Sequence, residues 1–178
     1  MKNPNNNFSF SKDFFNNSKL TWAWLLVRLY VGYEWLLAGW GKITSPAWIG
    51  SDAGSAIGGF VRGAIAKSSG AHPAVQIWYA RFLDNLVLPN TTLFSYVITF
   101  GELLIGIALI LGLFTAIAAF FGAFMNLNFM LAGTTSINPI LFTLTILIIL
   151  ARKPASKIGL DFYVLPHLYS QPNKPKKR

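Results

Sequence analysis

From Leu20 to Ile43 the chain reads LTWAWLLVRLYVGYEWLLAGWGKI, and this stretch decides the fold. It is apolar enough, and at about 1.5 Å per residue long enough, to form a helix across a hydrocarbon core of about 30 Å. It nevertheless contains Arg28 and Glu34. A charged side chain near the membrane centre costs roughly 2.5–3.5 kcal/mol on insertion scales, so such residues normally pair or face a cavity. The stretch therefore predicts a membrane-spanning helix whose buried charges are functional.

Three more apolar segments follow the first. The four predicted spans cover residues 20–43, 92–112, 115–132 and 136–151. The last is strongly apolar only from Pro139 onward and would then cover only about 20 Å, so the residues just before it are expected to lie below the lipid surface. The predicted fold class is all-α, a polytopic membrane protein built as a four-transmembrane-helix bundle.

Turn-forming residues mark the ends of these segments. Gly112 is expected to close the second segment, and Thr115 is expected to cap the third. Asn138 and Pro139 suit the N-cap and the first position of the fourth helix. The last three spans are therefore predicted to form two tight hairpins.

Composition supports lipid as the surrounding medium. Of 178 residues, 53% are hydrophobic and 12% charged, whereas about a quarter of the residues in a soluble domain are charged. The net charge of +9 does not indicate nucleic acid, because the basic residues lie mainly in the tails instead of on one folded face. The chain has no cysteine, and its two histidines, His72 and His167, lie outside the spans. The sequence thus carries no metal, haem or flavin signal.

The basic residues predict an orientation in the cell membrane. Lysines occupy positions 2, 12 and 19, and seven further Lys and Arg residues follow the last span. By the positive-inside rule both termini are cytoplasmic. Residues 1–19 are then an N-terminal tail, with the first helix retained and not cleaved as a signal peptide, and residues 162–178 are a basic tail. From Pro172 the tail is expected to be disordered, acting either at anionic lipid or only as a topology signal.

Residues 44–91 then form one long outer segment. Apolar residues recur in it at helical spacing, which predicts an amphipathic helix at the membrane interface: Val75, Trp78, Tyr79, Phe82, Leu83 and Leu86. A second helix is expected at residues 56–66. The segment is either a lid over the outer end of the bundle or a surface anchor.

The buried charges have different depths and faces. Arg28 and Glu34 are about 240° apart around a helix, so they cannot pair with each other. Glu102 lies between them in depth, which predicts that Arg28 pairs with Glu102 and that Glu34 faces a cavity open to the outer side. Asn126 completes a polar layer near mid-membrane. The alternative is that these residues are only interhelical hydrogen-bond contacts.

Other residues have two interpretations each. Lys42 lies at the outer end of its helix and can extend its ammonium group to the interface. Asn126 and Asn128 are about 200° apart, so at most one faces the polar layer. Gly32 and Gly39 are small enough to let a neighbouring helix approach closely. One aromatic cluster is either a packing surface or a quinone platform: Phe120, Phe121, Phe124 and Phe129.

Several motifs resemble one family. The patterns Arg28-x-x-x-Gly32, Gly39-x-x-Lys42, Glu102-x-x-x-Gly106 and Gly112-x-x-Thr115 resemble the DoxX superfamily of small four-helix membrane proteins. The stretch from Asn126 to Pro139 and the ending Gly159-Leu-Asp161 look more specifically like the DoxD branch. The resemblance covers about residues 20–161, which form the DoxX/DoxD-like membrane domain.

The resemblance implies an activity. The DoxD branch is the membrane subunit of thiosulfate:quinone oxidoreductase, which oxidises thiosulfate to tetrathionate and passes the electrons to a membrane quinone, usually with a second redox subunit. The predicted catalytic residues are Glu102, Glu34 and Arg28. The predicted substrate- or quinone-binding residues are Lys42, Asn126, Asn128 and Trp40, and Arg62 or Arg81 could add positive charge on the outer side.

Three functions stay open on the sequence. The first is a quinone-linked oxidoreductase subunit, in which electrons pass directly from substrate to quinone or through a partner. The second is a non-enzymatic anchor or assembly subunit of a redox complex. The third is a small-solute or proton pathway, since buried carboxylates also occur in transporters. Expected partners are the lipid bilayer, a second redox subunit and further copies of the chain, but not nucleic acid.

Overall fold

The structure is a computed structural model that describes residues 14–169, and all regular structure in this range is helical. This confirms the all-α prediction. After a short 3-10 turn at Ser18–Leu20, the α-helices are α1 Thr21–Ile43, α2 Ser55–Ala66, α3 Ile77–Phe82, α4 Thr91–Leu111, α5 Thr115–Leu131, α6 Asn138–Leu150, α7 Arg152–Ala155 and α8 Asp161–Tyr169. The C-terminal tail predicted at 162–178 therefore begins as a helix, and its stretch from Pro172 lies outside the described residues.

The four longest of these helices form a ring. Helix α1 packs on α4 and α6, α4 packs on α5, and α5 packs on α6. Their shared core is apolar, with Val31, Leu109, Ala119 and Ile148 fully buried. We call the end of the ring covered by residues 44–90 the loop end, and the opposite end, where α1 and α5 begin, the terminal end.

Helices α1 and α4 approach each other closely because glycines lie at their crossing. A Cβ atom at Gly39 would lie 2.7 Å from the backbone nitrogen of Leu103, and one at Gly106 would lie 2.5 Å from that of Leu36. No side chain fits at such a distance. The expected close approach at Gly39 is confirmed, and Gly106 supplies the matching small residue on α4.

Helices α3 and α4 belong to one continuous helix, Ile77–Leu111, of 35 residues. The sequence predicted a separate interfacial helix followed by a span from residue 92. The α-helical segment does begin at Thr91, but it is joined to the preceding helix without a break. The chain continues through a π turn at Leu83–Val87 and a 3-10 turn at Leu88–Asn90. Pro89 lies in the first turn of that 3-10 segment, where its missing N–H costs little, so it does not end the helix.

Length and apolar composition single out this same helix as a candidate membrane span. At about 1.5 Å per residue it is about 52 Å long, which exceeds a hydrocarbon core of about 30 Å. Among the described residues it is the one helix that is both long and apolar enough to cross a membrane, while α2, α5 and α6 are shorter apolar helices. The arrangement with four spans stays a prediction.

A second apolar core lies at the loop end. Helix α2 forms where a helix was expected, and it buries Ile57 and Val61 against Val75, Tyr79 and Leu83. The predicted amphipathic face is confirmed at these last three positions. The other three predicted positions, Trp78, Phe82 and Leu86, are 61%, 37% and 47% exposed, whereas Ala80 and Val87 are buried. Val87 lies four residues after Leu83 and therefore shares its inward face.

The terminal end is fixed by a carboxylate from far along the chain. Asp161 accepts hydrogen bonds from the backbone N–H groups of Phe114, at 2.6 Å, and Thr115, at 2.9 Å. Its own N–H donates to the carbonyl of Gly112 at 2.7 Å. Gly112 closes α4 as predicted, in the left-handed region at φ +64°. Asp161 therefore provides the side-chain cap of α5.

Two capping predictions were wrong. Thr115 does not cap α5, since its hydroxyl is buried without a hydrogen-bond partner in the described part of the chain. Asn138 is the first residue of α6 instead of its N-cap, which is Ile137. In both cases the residue type suited a cap, but Asp161 supplies the acceptor at α5, and α6 begins one residue earlier than expected.

Replacing Asp161 by alanine is expected to destabilise the terminal end. The change leaves two donors at the start of α5 without an acceptor, and loss of an N-cap costs about 0.5–2 kcal/mol. The thermal unfolding midpoint of the purified protein should fall. Asp84→Asn removes an exposed carboxylate and should leave the midpoint unchanged. Equal midpoints for the two variants would contradict the capping role.

Candidate functional site

An ion pair joins α1 and α4 near the loop end. The Nζ atom of Lys42 lies 2.6 Å from Oε2 of Glu102 and 3.4 Å from the carbonyl oxygen of Ala38. The Glu102 side chain is 2% exposed, whereas that of Lys42 is 19% exposed. Glu102 is therefore enclosed, and Lys42 connects it to the surface.

Trp48 covers this ion pair. The ammonium group of Lys42 lies 4.9 Å from the centroid of the Trp48 ring, a distance at which a cation is attracted to the ring face. The Trp48 carbonyl accepts a hydrogen bond of 2.7 Å from the hydroxyl of Ser95 on α4. The loop after α1 is thus attached to both helices that carry the charges.

Further polar groups continue along the inner face of α4. Ser95, Thr99 and Glu102 lie on one side of the helix, and all three are buried. The Thr99 hydroxyl has no hydrogen-bond partner among the described residues. A column of oxygen atoms therefore leads from the loop end to the ion pair.

Arg28 does not pair with Glu102, and this prediction was wrong. Arg28 is 1% exposed and donates a 3.0 Å hydrogen bond to the carbonyl of Ala155. Its guanidinium group lies against Gly112 and Gly159 at the terminal end. Arg28 and Lys42 lie almost four turns apart along α1, and the close approach to α4 at Gly32 and Gly39 lies between them.

Glu34 and Trp40 lie away from the ion pair. Glu34 is half-buried and has no ion-pair partner in the described part of the chain. Trp40 is 62% exposed. Tyr33 and Leu37, on the same side of α1, are also exposed, at 54% and 49%. The catalytic role predicted for Glu34 and the binding role predicted for Trp40 stay predictions.

The two asparagines of α5 point in different directions, as their spacing predicted. Asn126 is fully buried, and neither its amide nitrogen nor its oxygen has a partner among the described residues. One turn earlier, Gly122 lies beside the indole Nε1 of Trp35, which is also unpaired. Gly101 lies against Met125, so Asn126 and Glu102 occupy the same level of the bundle. These two residues of the predicted polar layer are thus brought to one depth.

Asn128 lines a groove that is separate from the ion pair, since neither Lys42 nor Glu102 is among its lining residues. The groove has a volume of 590 Å³ and runs between α4 and α5, with α2 and α3 at its loop end. We call it the lateral groove. Its lining contains no charged residue, and its polar side chains are those of Tyr79 and Asn128. The Tyr79 hydroxyl donates to Asn128: its oxygen lies 3.0 Å from the backbone carbonyl oxygen of Asn128 and 3.0 Å from the Asn128 Oδ1 atom.

The aromatic cluster of α5 divides between the groove and the outside. Phe121, Phe124 and Phe129 line the lateral groove, whereas Phe120 is 58% exposed and lies outside it. The Phe129 ring meets that of Phe60 edge to face at 6.3 Å. Aromatic rings therefore line the groove along its whole length, from Phe60 and Phe129 at the loop end to Phe114 at the terminal end.

Sequence reasoning missed several residues of these sites. The helical spacing of Ser95, Thr99 and Glu102 was visible in the sequence and could have indicated one polar face. No sequence signal placed Trp48 over Lys42, because that contact depends on the path of the loop after α1. A metal-binding group of His, Asp and Glu residues is not found among residues 14–169.

Together these features define a class of protein. Over residues 14–169 the chain is a small helical protein with one long apolar helix that is a candidate membrane span, an enclosed ion pair and an uncharged groove. The chain belongs to the DoxD family, since the family model described as TQO small subunit DoxD matches residues 23–176. The family is that of the membrane subunit of a thiosulfate:quinone oxidoreductase, which confirms the resemblance noted in the sequence. No curated protein and no solved structure matched the chain.

Proposed function

We propose that the chain is the membrane subunit of a quinone-linked oxidoreductase that converts thiosulfate to tetrathionate, with Lys42 and Glu102 as its reactive pair. Both termini are cytoplasmic in this proposal, as the basic residues predict, so the loop end faces outward. The observation that carries it is the 2.6 Å ion pair with one enclosed and one accessible member. Family membership supports the quinone linkage.

The overall reaction requires both electrons and protons. Two thiosulfate ions form one S–S bond and release two electrons, and a quinone takes up these electrons with two protons to become a quinol. The chain contains no cysteine, so electrons pass directly from sulfur to quinone or through the partner subunit. The part assigned to this chain is to bind the anion and deliver protons.

The ion pair suits that part because its two members differ in exposure. An anion arriving from the loop end would meet Lys42 under Trp48 and would compete with the Glu102 carboxylate for the ammonium group. Once separated from Lys42, the enclosed Glu102 would be more stable in its protonated form, since a lone charge in an apolar interior is costly. Anion binding would thereby be coupled to proton uptake.

Other predicted residues have lesser parts in this proposal. Asn126 shares the level of Glu102, and its amide atoms have no hydrogen-bond partner among residues 14–169, so it could orient the transferred proton or a water molecule. Glu34 stays a candidate for a second proton-carrying carboxylate. Arg28 is assigned no chemical step, because its contacts hold the terminal end together.

The activity test compares Glu102→Gln with the native protein. Glutamine keeps the size of the side chain and can still accept a hydrogen bond from Lys42, but it cannot carry a proton. Tetrathionate formation by the purified complex, with thiosulfate and decylubiquinone supplied, should fall by about 10²-fold or more, the usual contribution of a proton-transferring group. Lys153→Gln, which removes an exposed positive charge at the terminal end, should keep the native rate.

Two results would overturn the proposal. If the native complex with its co-purified partner forms no tetrathionate, the thiosulfate reaction is wrong. If Glu102→Gln retains the native rate, the ion pair is only structural. The second candidate function, a non-enzymatic anchor or assembly subunit, would then be favoured. Its supporting observation is the exposed apolar face of α1, which includes Tyr33 and Leu37 and could contact another subunit.

A further inference from the structure

We propose that the lateral groove binds an isoprenoid quinone, with the ring at Tyr79 and Asn128 and the tail along α4. The choice of a quinone as the ligand rests on the proposed function, in which a quinone accepts the electrons. This inference assigns a place to a ligand that the family implies, using residues that the ion-pair site does not involve.

The shape of the groove fits a long, thin molecule. It extends along α4 from Phe94 to Ala108, a distance of about 21 Å at 1.5 Å per residue. Several of the side chains along it are accessible from outside, such as Val97 at 57% and Leu104 at 65% exposed. An apolar tail could therefore enter sideways from the lipid, without passing through the bundle.

The loop end of the groove fits an uncharged head with oxygen acceptors. The Tyr79 hydroxyl is a donor that now bonds to Asn128, and the Asn128 amide nitrogen bonds to the carbonyl of Phe124 at 2.8 Å. Both donors could turn toward the carbonyl oxygens of a quinone. The rings of Phe60 and Phe129 border the same place and offer faces for stacking.

The lining argues against a phospholipid as the specific occupant. A phosphodiester head is charged, and sites that hold it normally present Lys or Arg. Every lining residue of the groove is uncharged. A quinone has an apolar tail and a neutral head, and it matches both parts of the groove.

The test measures binding directly, apart from turnover. Decylubiquinone is titrated into the purified full-length chain in detergent, and bound quinone is measured by equilibrium dialysis. Val97→Trp, which places a large ring in the groove, should weaken binding by at least about tenfold. Leu93→Trp is the matched control, since Leu93 lies on the same helix and is 60% exposed but is not part of the lining. It should bind like the native chain.

A milder variant tests the head position. Tyr79→Phe keeps the ring and removes one hydrogen-bond donor, so the dissociation constant should rise about 2- to 10-fold, the value of one neutral hydrogen bond. Native mass spectrometry of the same samples identifies any co-purified phospholipid. If only phospholipid occupies the native chain, or if Val97→Trp binds quinone as well as Leu93→Trp does, the groove is not the quinone site.

The outcomes separate this inference from the proposed function. If Glu102→Gln loses turnover but binds decylubiquinone normally, and Val97→Trp loses binding, both are supported. If native turnover is present but Val97→Trp retains native binding, the reaction stands and the groove assignment fails. If the native chain binds no quinone, the groove assignment also fails, whatever the rate of the complex.

Discussion

Gly39→Ala is expected to reduce the amount of folded protein severely, although the change adds a single methyl group. The new Cβ would lie 2.7 Å from both the backbone nitrogen and the Cγ atom of Leu103, and the backbone cannot move without separating α1 from α4. Overpacking in a close-packed interior typically costs 1–3 kcal/mol, and occasionally more. The measurement is the thermal unfolding midpoint together with the yield of monodisperse protein after detergent extraction.

Gly41→Ala is the matched control, because Gly41 lies two residues further along the same helix. A Cβ there would meet no atom within 4 Å, and alanine is a better helix former than glycine by about 1 kcal/mol. This variant should be as stable as the native protein or slightly more stable. Similar losses in both variants would show that α1 does not pack on α4 in the way described.

Lys42→Met is expected to destabilise the protein more than the double replacement of Lys42 by Met and Glu102 by Gln. The single change leaves Glu102 enclosed without its cation, and breaking a buried pair in this way costs up to about 3–5 kcal/mol. The cost should lie at the lower end because Lys42 is 19% exposed. In the double variant no charge remains, so much of the lost stability should return.

The comparison is a double-mutant cycle on the unfolding free energy. A positive coupling energy between the two positions would confirm that they stabilise each other. Arg28→Met combined with Glu102→Gln is the control cycle and should be additive, since Arg28 contacts Ala155 and not Glu102. If Arg28 and Glu102 were coupled while Lys42 and Glu102 were additive, Glu102 would pair with Arg28, and the ion pair described above would be wrong.

The family motifs acquire a physical explanation at the terminal end. Gly112 and Gly159 both lie under the Arg28 guanidinium group, where a side chain on either would collide with it. Asp161 caps α5 through the N–H groups of Phe114 and Thr115. Positions far apart in the sequence therefore meet around one buried arginine and hold the terminal end together.

Much of the helical content could be predicted from the sequence. Apolar runs and helix-ending residues placed α1, α4, α5 and α6 within a few residues, because hydrophobic length and turn chemistry are local properties. The continuous helix through Pro89 could not be predicted, since a proline normally marks a boundary. It is tolerated here because the turn that contains it is 3-10 in geometry.

In the candidate site, too, the sequence determined some features and the tertiary structure decided the others. The sequence determined that Arg28, Glu34 and Glu102 are buried or half-buried charges requiring an explanation, because their cost in an apolar segment follows from composition alone. The tertiary structure decided which partner each one has. Helical spacing gives direction and depth along one helix, but the axial register of α1 against α4 is set by the glycines at their crossing. Arg28 and Lys42 lie on nearly the same side of α1, so this register brings Lys42, not Arg28, to Glu102.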